Sequence, residues 1–175
     1  MMFKNTHKMA LLAVLTAGAI ILSIVESFIP SFGIPGIKLG LANILILVVM
    51  FEIGPKEAAV VNLSRVYLAN LLRGTIMGMG FVMSLAGAIL SYLVMLLFYL
   101  LIKKFSVIGV SVLGSIFHVI GQLLVAWAYL GSSIVIIYLP FIGLSAIITG
   151  VFVGVVAMII IKTGVIKKQR IKYNY

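Results

Sequence analysis

The chain has 175 residues, 64% of them hydrophobic and 9% charged, with a mean hydropathy of +1.35. No soluble globular class carries that balance: a water-soluble domain of this length cannot hide so much apolar surface, so the bilayer is its natural solvent. A formal charge of +10 would point to nucleic acid in a soluble protein, but here the cations border apolar runs, where membrane orientation and anionic lipid account for them, and no nucleic-acid partner is expected. The absence of cysteine excludes disulfides, thiolate metal sites and cysteine nucleophiles; no cofactor and no metal are expected.

The apolar runs are continuous rather than alternating, which favours membrane helices over a membrane β-barrel. The first helix is predicted over residues 9–29. Lys4 and Lys8 ahead of an apolar run, followed by Ala17-Gly18-Ala19, imitate a secretory signal, but the run continues through Val25 and more spans follow, so this segment reads as a retained transmembrane helix. Pro30, Gly33, Pro35 and Gly36 then forbid regular helix. A second helix is predicted over 39–53, short for a full crossing, and Gly54-Pro55 makes a tight turn into a third over 56–72. Gly74, Gly78 and Gly80 lead into a fourth over 81–102. Lys103-Lys104 and residues 105–109 form the next turn, and a fifth helix covers 110–130 until Gly131-Ser132-Ser133 breaks it. The sixth is predicted over 138–161, with 134–139 either extending it or forming a re-entrant piece, and a basic tail occupies 162–175.

The expected fold is therefore an all-α integral membrane protein: a single domain of six transmembrane helices. Six crossings bring both termini, the 2–3 turn and the 4–5 turn to one side. Ten of the thirteen Lys and Arg residues fall there: Lys4, Lys8, Lys56, Lys103, Lys104 and the five from Lys162 to Lys172. The positive-inside rule makes that side cytoplasmic. The chain has no Walker A lysine loop, so it is not expected to hydrolyse ATP by itself, and Gly78-Met79-Gly80 lacks the strand–turn–helix setting of a nucleotide fingerprint.

Three cations, Lys38, Arg65 and Arg73, lie where this topology does not call for positive charge. Charged groups within a bilayer are costly and usually face a cavity or a partner. In the six-span scheme Glu26 falls near the outer end of helix 1, Lys38 and Asn43 flank the start of helix 2, and Arg65, Asn70 and Arg73 climb the outer half of helix 3. Arg65 and Arg73 are eight residues apart, about two turns, and share a face. Ser111, Ser115, His118 and Gln122 follow steps of four, three and four and form one stripe of helix 5. One reading is an outward-opening pocket in which Lys38, Arg65 and Arg73 hold a carboxylate or phosphate, Glu26 fixes a cation or meets a positive group on the ligand, and His118 and Gln122 bond its edge. The other reading has Lys38 and Arg73 snorkelling to headgroups, Arg65 in a buried pair with Glu26, and His118 and Gln122 joining helices. Glu52 and Glu57 flank the cytoplasmic turn and read as solvated. Ala13 and Ala17 form a small-residue pair on helix 1, serving either packing within the chain or docking to a partner subunit. Trp127, Tyr129 and Tyr138 fit an outer aromatic belt.

Pro35-Gly36-Ile37-Lys38-Leu39-Gly40-Leu41-Ala42-Asn43 resembles the P-G-x-K-L-G-L-A-N signature of a bacterial membrane family. Phe105-Ser106-Val107-Ile108-Gly109-Val110-Ser111 and His118-Val119-Ile120-Gly121-Gln122 are similar to its later blocks. That family carries two labels, "heptaprenyl diphosphate synthase component I" and "Gx transporter", and its layout is similar to the S components of energy-coupling factor (ECF) transporters, six-helix proteins that capture vitamins. The resemblance implies a substrate-binding subunit of an importer for a small anionic or zwitterionic molecule in the bacterial cytoplasmic membrane. It further implies partners in a shared T subunit and ATPases, with Ala13 and Ala17 at the T-subunit contact. The alternative is a non-catalytic accessory subunit in isoprenoid or quinone metabolism. Catalysis is not expected under either label: prenyl synthases hold Mg²⁺ on aspartate-rich motifs, and the acids here are only Glu26, Glu52 and Glu57.

Overall fold

The computed structural model describes residues 2–28, 40–102, 106–131, 139–164 and 166. Among them are six helices: α1 (Met2–Ser27), α2 (Asn43–Glu52), α3 (Pro55–Leu72), α4 (Met79–Leu101), α5 (Val107–Leu130) and α6 (Leu139–Thr163). Four contain stretches long and apolar enough to cross a membrane: Thr6–Ser27, Met79–Leu101, Val107–Leu130 and Pro140–Thr163. The remaining two helices depart from that pattern for opposite reasons.

The ten residues of α2 extend about 15 Å, half of a ~30 Å hydrocarbon core. Every residue from Ile46 to Met50 is fully buried, against α1, α3 and α6. A helix apolar on all sides belongs in a core, and α2 is the core of this bundle. By contrast, α3 is long enough but carries Asn62, Arg65 and Asn70, all buried. Those polar groups lower its hydropathy; Asn62 and Arg65 reach other helices, while Asn70 bonds at the end of α3 itself.

The helix boundaries differ from the expected ones at identifiable chemical features. The first helix begins at Met2 rather than residue 9 and continues over Lys8. Lys8 Nζ donates to Glu57 Oε1 in the first turn of α3, so Glu57 is paired rather than simply solvated. Helix α2 starts at Asn43 rather than 39, because Gly40 is left-handed with φ +86°. Helix α4 begins at Met79 and takes Gly80 into its first turn. Helix α5 begins three residues before the expected 110, because Ser106 Oγ accepts from Gly109 N at 3.0 Å and caps it. The sixth helix runs to Thr163. Lys103-Lys104, residues 134–138 with Tyr138, and the tail from Lys167 lie outside the described residues; Trp127 and Tyr129 are exposed at the end of α5.

Helices α4, α5 and α6 pack side by side in alternating direction, joined by small residues. A Cβ on Gly121 of α5 would lie 2.8 Å from Ala86 O of α4, and one on Gly154 of α6 would lie 2.7 Å from the Ile108 Cα of α5. Only glycine permits such backbone approach. Helices α1 and α3 run in the same direction, linked by Lys8–Glu57 at one end and by the electrostatic influence of Glu26 on Arg65 and Arg73 at the other. Ala13 and Ala17 are exposed on the outward face of α1, beside Val14 and Ile21. Their neighbour Gly18 packs within the chain, against Leu45.

Candidate functional site

The polar side chains gather at the end of the bundle where α1 finishes and α2 begins. Gly40, in its left-handed conformation, turns its N–H toward Glu26, whose Oε1 accepts it. The same glycine sits between Asn43 and the imidazole of α5: a Cβ there would lie 3.0 Å from Asn43 Nδ2 and 3.9 Å from His118 Cδ2. Glycine at position 40 thus answers both a backbone requirement and a steric one.

Arg65 is 3% exposed. Its Nη2 donates to Asn43 Oδ1 at 3.1 Å and to Asn62 Oδ1 at 3.0 Å, and its Nε donates to Asn62 Oδ1 at 3.2 Å. Each amide passes a bond on to α4: Asn62 Nδ2 donates to Ala88 O at 3.0 Å, and Asn43 Nδ2 lies 3.5 Å from Ser91 Oγ. The guanidinium has five N–H donors, of which the two on Nη1 meet no protein acceptor among the described residues. Glu26 interacts electrostatically with both Arg65 and Arg73. The Arg65 hydrogen bonds nevertheless end on neutral amide oxygens, so the expected alternative of a direct Glu26–Arg65 pair gives way to an arginine held at a distance from its nearest acid.

His118 and Gln122 are buried, with their Nε2 atoms 3.2 Å apart, one turn from each other on α5. Gly87 of α4 makes room for both: a Cβ there would lie 3.2 Å from His118 Cε1 and 3.0 Å from Gln122 Cγ. Glu26, Asn43, Arg65, His118 and Gln122 are therefore brought to one region around Gly40. Asn70 and Arg73 form a separate knot at the end of α3. Asn70 Nδ2 donates to Val66 O at 2.7 Å, and its Oδ1 accepts from Arg73 Nη2 at 3.1 Å and Thr75 Oγ1 at 3.0 Å. Arg73 Nε donates back to Ala69 O at 3.0 Å, so this side chain folds over its own helix end. Lys38 lies outside the described residues.

Two members of the network escape the sequence reading. Asn62 is three residues before Arg65 on the same helix face, a spacing that marks direct neighbours. Ser91 is a lone serine on an apolar helix and carries no such signal. Ser111 and Ser115 share the buried stripe with His118 and Gln122, but they pack against Gly154 and Gly150 of α6 rather than in the cluster.

A family model described as heptaprenyl diphosphate synthase component I matches residues 15–160. The chain belongs to that family. No curated protein and no solved structure matches it significantly. The segment shared with the heptaprenyl diphosphate synthase component I family includes the whole Arg65 network and ends within α6, while Lys8 and the basic tail fall outside it.

Proposed function

We propose that this chain is the substrate-binding membrane subunit of an importer, similar in layout to ECF transporter S components, and that it holds a small anionic or zwitterionic organic molecule at Arg65. The observation that carries the reading is an arginine buried in an apolar bundle, with no carboxylate bonded to it and two N–H donors that the described protein groups leave unfilled. A buried charge is expensive unless an opposite charge meets it, and the planar fork of Arg suits a carboxylate or phosphate oxygen. In this reading the bundle sits in the bacterial cytoplasmic membrane with both termini inside, α2 supplying only about half of its pass, the site opens outward, and the exposed Ala13–Ala17 face of α1 meets a T subunit coupled to ATPases. The chain itself is non-catalytic: its acids are Glu26 at one end of the bundle and Glu52 and Glu57 at the other, too far apart to share one metal-bound diphosphate. The test is mass spectrometry of small molecules that copurify with the protein. An anion retained by the wild type and lost from Arg65→Gln is expected, and equal retention by both would refute the site.

The family description favours a second reading, an accessory membrane subunit for a soluble prenyl diphosphate enzyme docking on the basic face. Capture of such an enzyme from solution, abolished by deleting residues 167–175, would select it over the first.

A further inference from the structure

The two asparagines bonded to Arg65 are each one atom away from a carboxylate that would neutralise it. The chain contains five asparagines and no aspartate, and two of the five surround this guanidinium. Their orientation is fixed by their partners. The backbone carbonyl of Ala88 can only accept, so the Asn62 NH₂ must face it and Oδ1 must face Arg65. At Asn43 the guanidinium, which can only donate, holds Oδ1 toward itself and leaves the NH₂ facing Ser91 Oγ. Both amides therefore present a partial negative charge to Arg65 while their other ends are anchored on a neighbouring helix. Arg65 is aimed by three hydrogen bonds, yet none cancels its charge.

We infer that Asn43 and Asn62 are positioning and specificity-determining residues, neutral acceptors that hold the Arg65 fork rigid without bonding a carboxylate to it, so that an incoming oxyanion can. The inference rests on the reading of Arg65 as an anion site. It assigns Asn43 to Arg65 and α4 rather than to direct contact with the ligand, and adds Asn62 as its counterpart. The oxyanion, whether carboxylate or phosphate, takes the two Nη1 donors and supplies the directly bonded counter-charge that Asn43 and Asn62 do not.

The informative variant is Asn43→Asp. The Ser91 hydroxyl can reverse and donate to the new carboxylate, so that neighbour is kept, and Arg65 gains an internal counter-ion. Asn62→Asp puts a carboxylate oxygen within the same reach of Nη2 but forfeits the Ala88 bond. Full-length wild type, both variants and Arg65→Gln, purified in detergent in chloride-free buffer, are melted against increasing benzoate and, separately, inorganic phosphate. The wild type is expected to be stabilised saturably by at least one probe, and Arg65→Gln by neither. Asn43→Asp should melt at or above the wild-type temperature without anion. Its anion midpoint should rise roughly tenfold or more, because the ligand then meets a like charge beside Arg65. An Asn43→Asp protein that answers the probe at wild-type concentrations overturns the inference and leaves the Arg65 site standing. If Asn43→Asp does not fold, Asn62→Asp carries the same comparison. Failure of both to fold also overturns it, since a carboxylate against a buried guanidinium should be accepted more readily than an amide. A wild type that answers neither probe, or answers no better than Arg65→Gln, overturns the site and the inference together.

Discussion

Replacing Asn62 by Ala removes three hydrogen bonds at once: two from Arg65 at 3.2 and 3.0 Å and one to Ala88 O at 3.0 Å. In a soluble protein a bond to a charged group contributes about 1.5–3 kcal/mol and a neutral one about 1 kcal/mol, which would put the total near 4–7 kcal/mol. Bonds between membrane helices are worth less, about 0.6 kcal/mol on average and up to about 1.7, because the separated helices find other partners within the bilayer. The membrane scale applies here, and three bonds on it give roughly 2–5 kcal/mol. For a chain of this size that corresponds to a fall in melting temperature of about 5–15 °C. The assay is thermal unfolding of purified protein in detergent, with Thr16→Ala alongside; that hydroxyl bonds only within its own helix, to Leu12 O at 2.7 Å, and its loss should cost under about 0.5 kcal/mol. An Asn62→Ala protein melting within about 2 °C of wild type would refute the claim that this residue joins α3 to α4 and supports the guanidinium.

Gly154→Val should destabilise by about 1–3 kcal/mol or more in the same melting assay, because its Cβ meets the Ile108 Cα backbone at 2.7 Å, which cannot swing aside. Gly143→Ala, on the same helix with nothing within 4 Å, should instead stabilise by about 0.5–1 kcal/mol through helix propensity alone. Ser106→Ala should cost about 1 kcal/mol by removing the cap of α5, visible as faster hydrogen exchange at the amides of residues 107–110. Ala17→Trp should leave the melting temperature unchanged, since the residue is exposed on α1, and under the proposed function it should abolish copurification with the T-type subunit.

The helix order and most helix ends were legible because their signals are local. Gly54-Pro55 puts proline in the first turn of α3, and Gly131 ends α5 in the left-handed conformation that glycine favours. The buried stripe of Ser111, Ser115, His118 and Gln122 was equally plain from its spacing. What escaped depends on neighbours far along the chain. Leu41 and Ala42 read as helix by composition, but Gly40 turns to meet Glu26 and α2 starts later. Lys8 and Glu57 are separated by 49 positions and become partners only because α1 and α3 run in the same direction. Asn62 is an unremarkable polar residue until α4 places a carbonyl opposite it. The serine stripe divides between two functions because glycines of α6 occupy one half of it.

Helix α1 packs against α2 and α3, and its outward face, with Ala13 and Ala17, contributes nothing to the core. Its inward face ends in Glu26, beside the site. The helix thus separates two kinds of evolutionary change onto opposite sides of one rod. Under the proposed function, substitutions on the outer face would alter the company the bundle keeps, lipid or another subunit, without disturbing an anion at Arg65, and substitutions on the inner face would alter its recognition without changing that company. A lineage built on such a bundle would then be free to diversify its ligands while retaining a common partner, or to do the reverse.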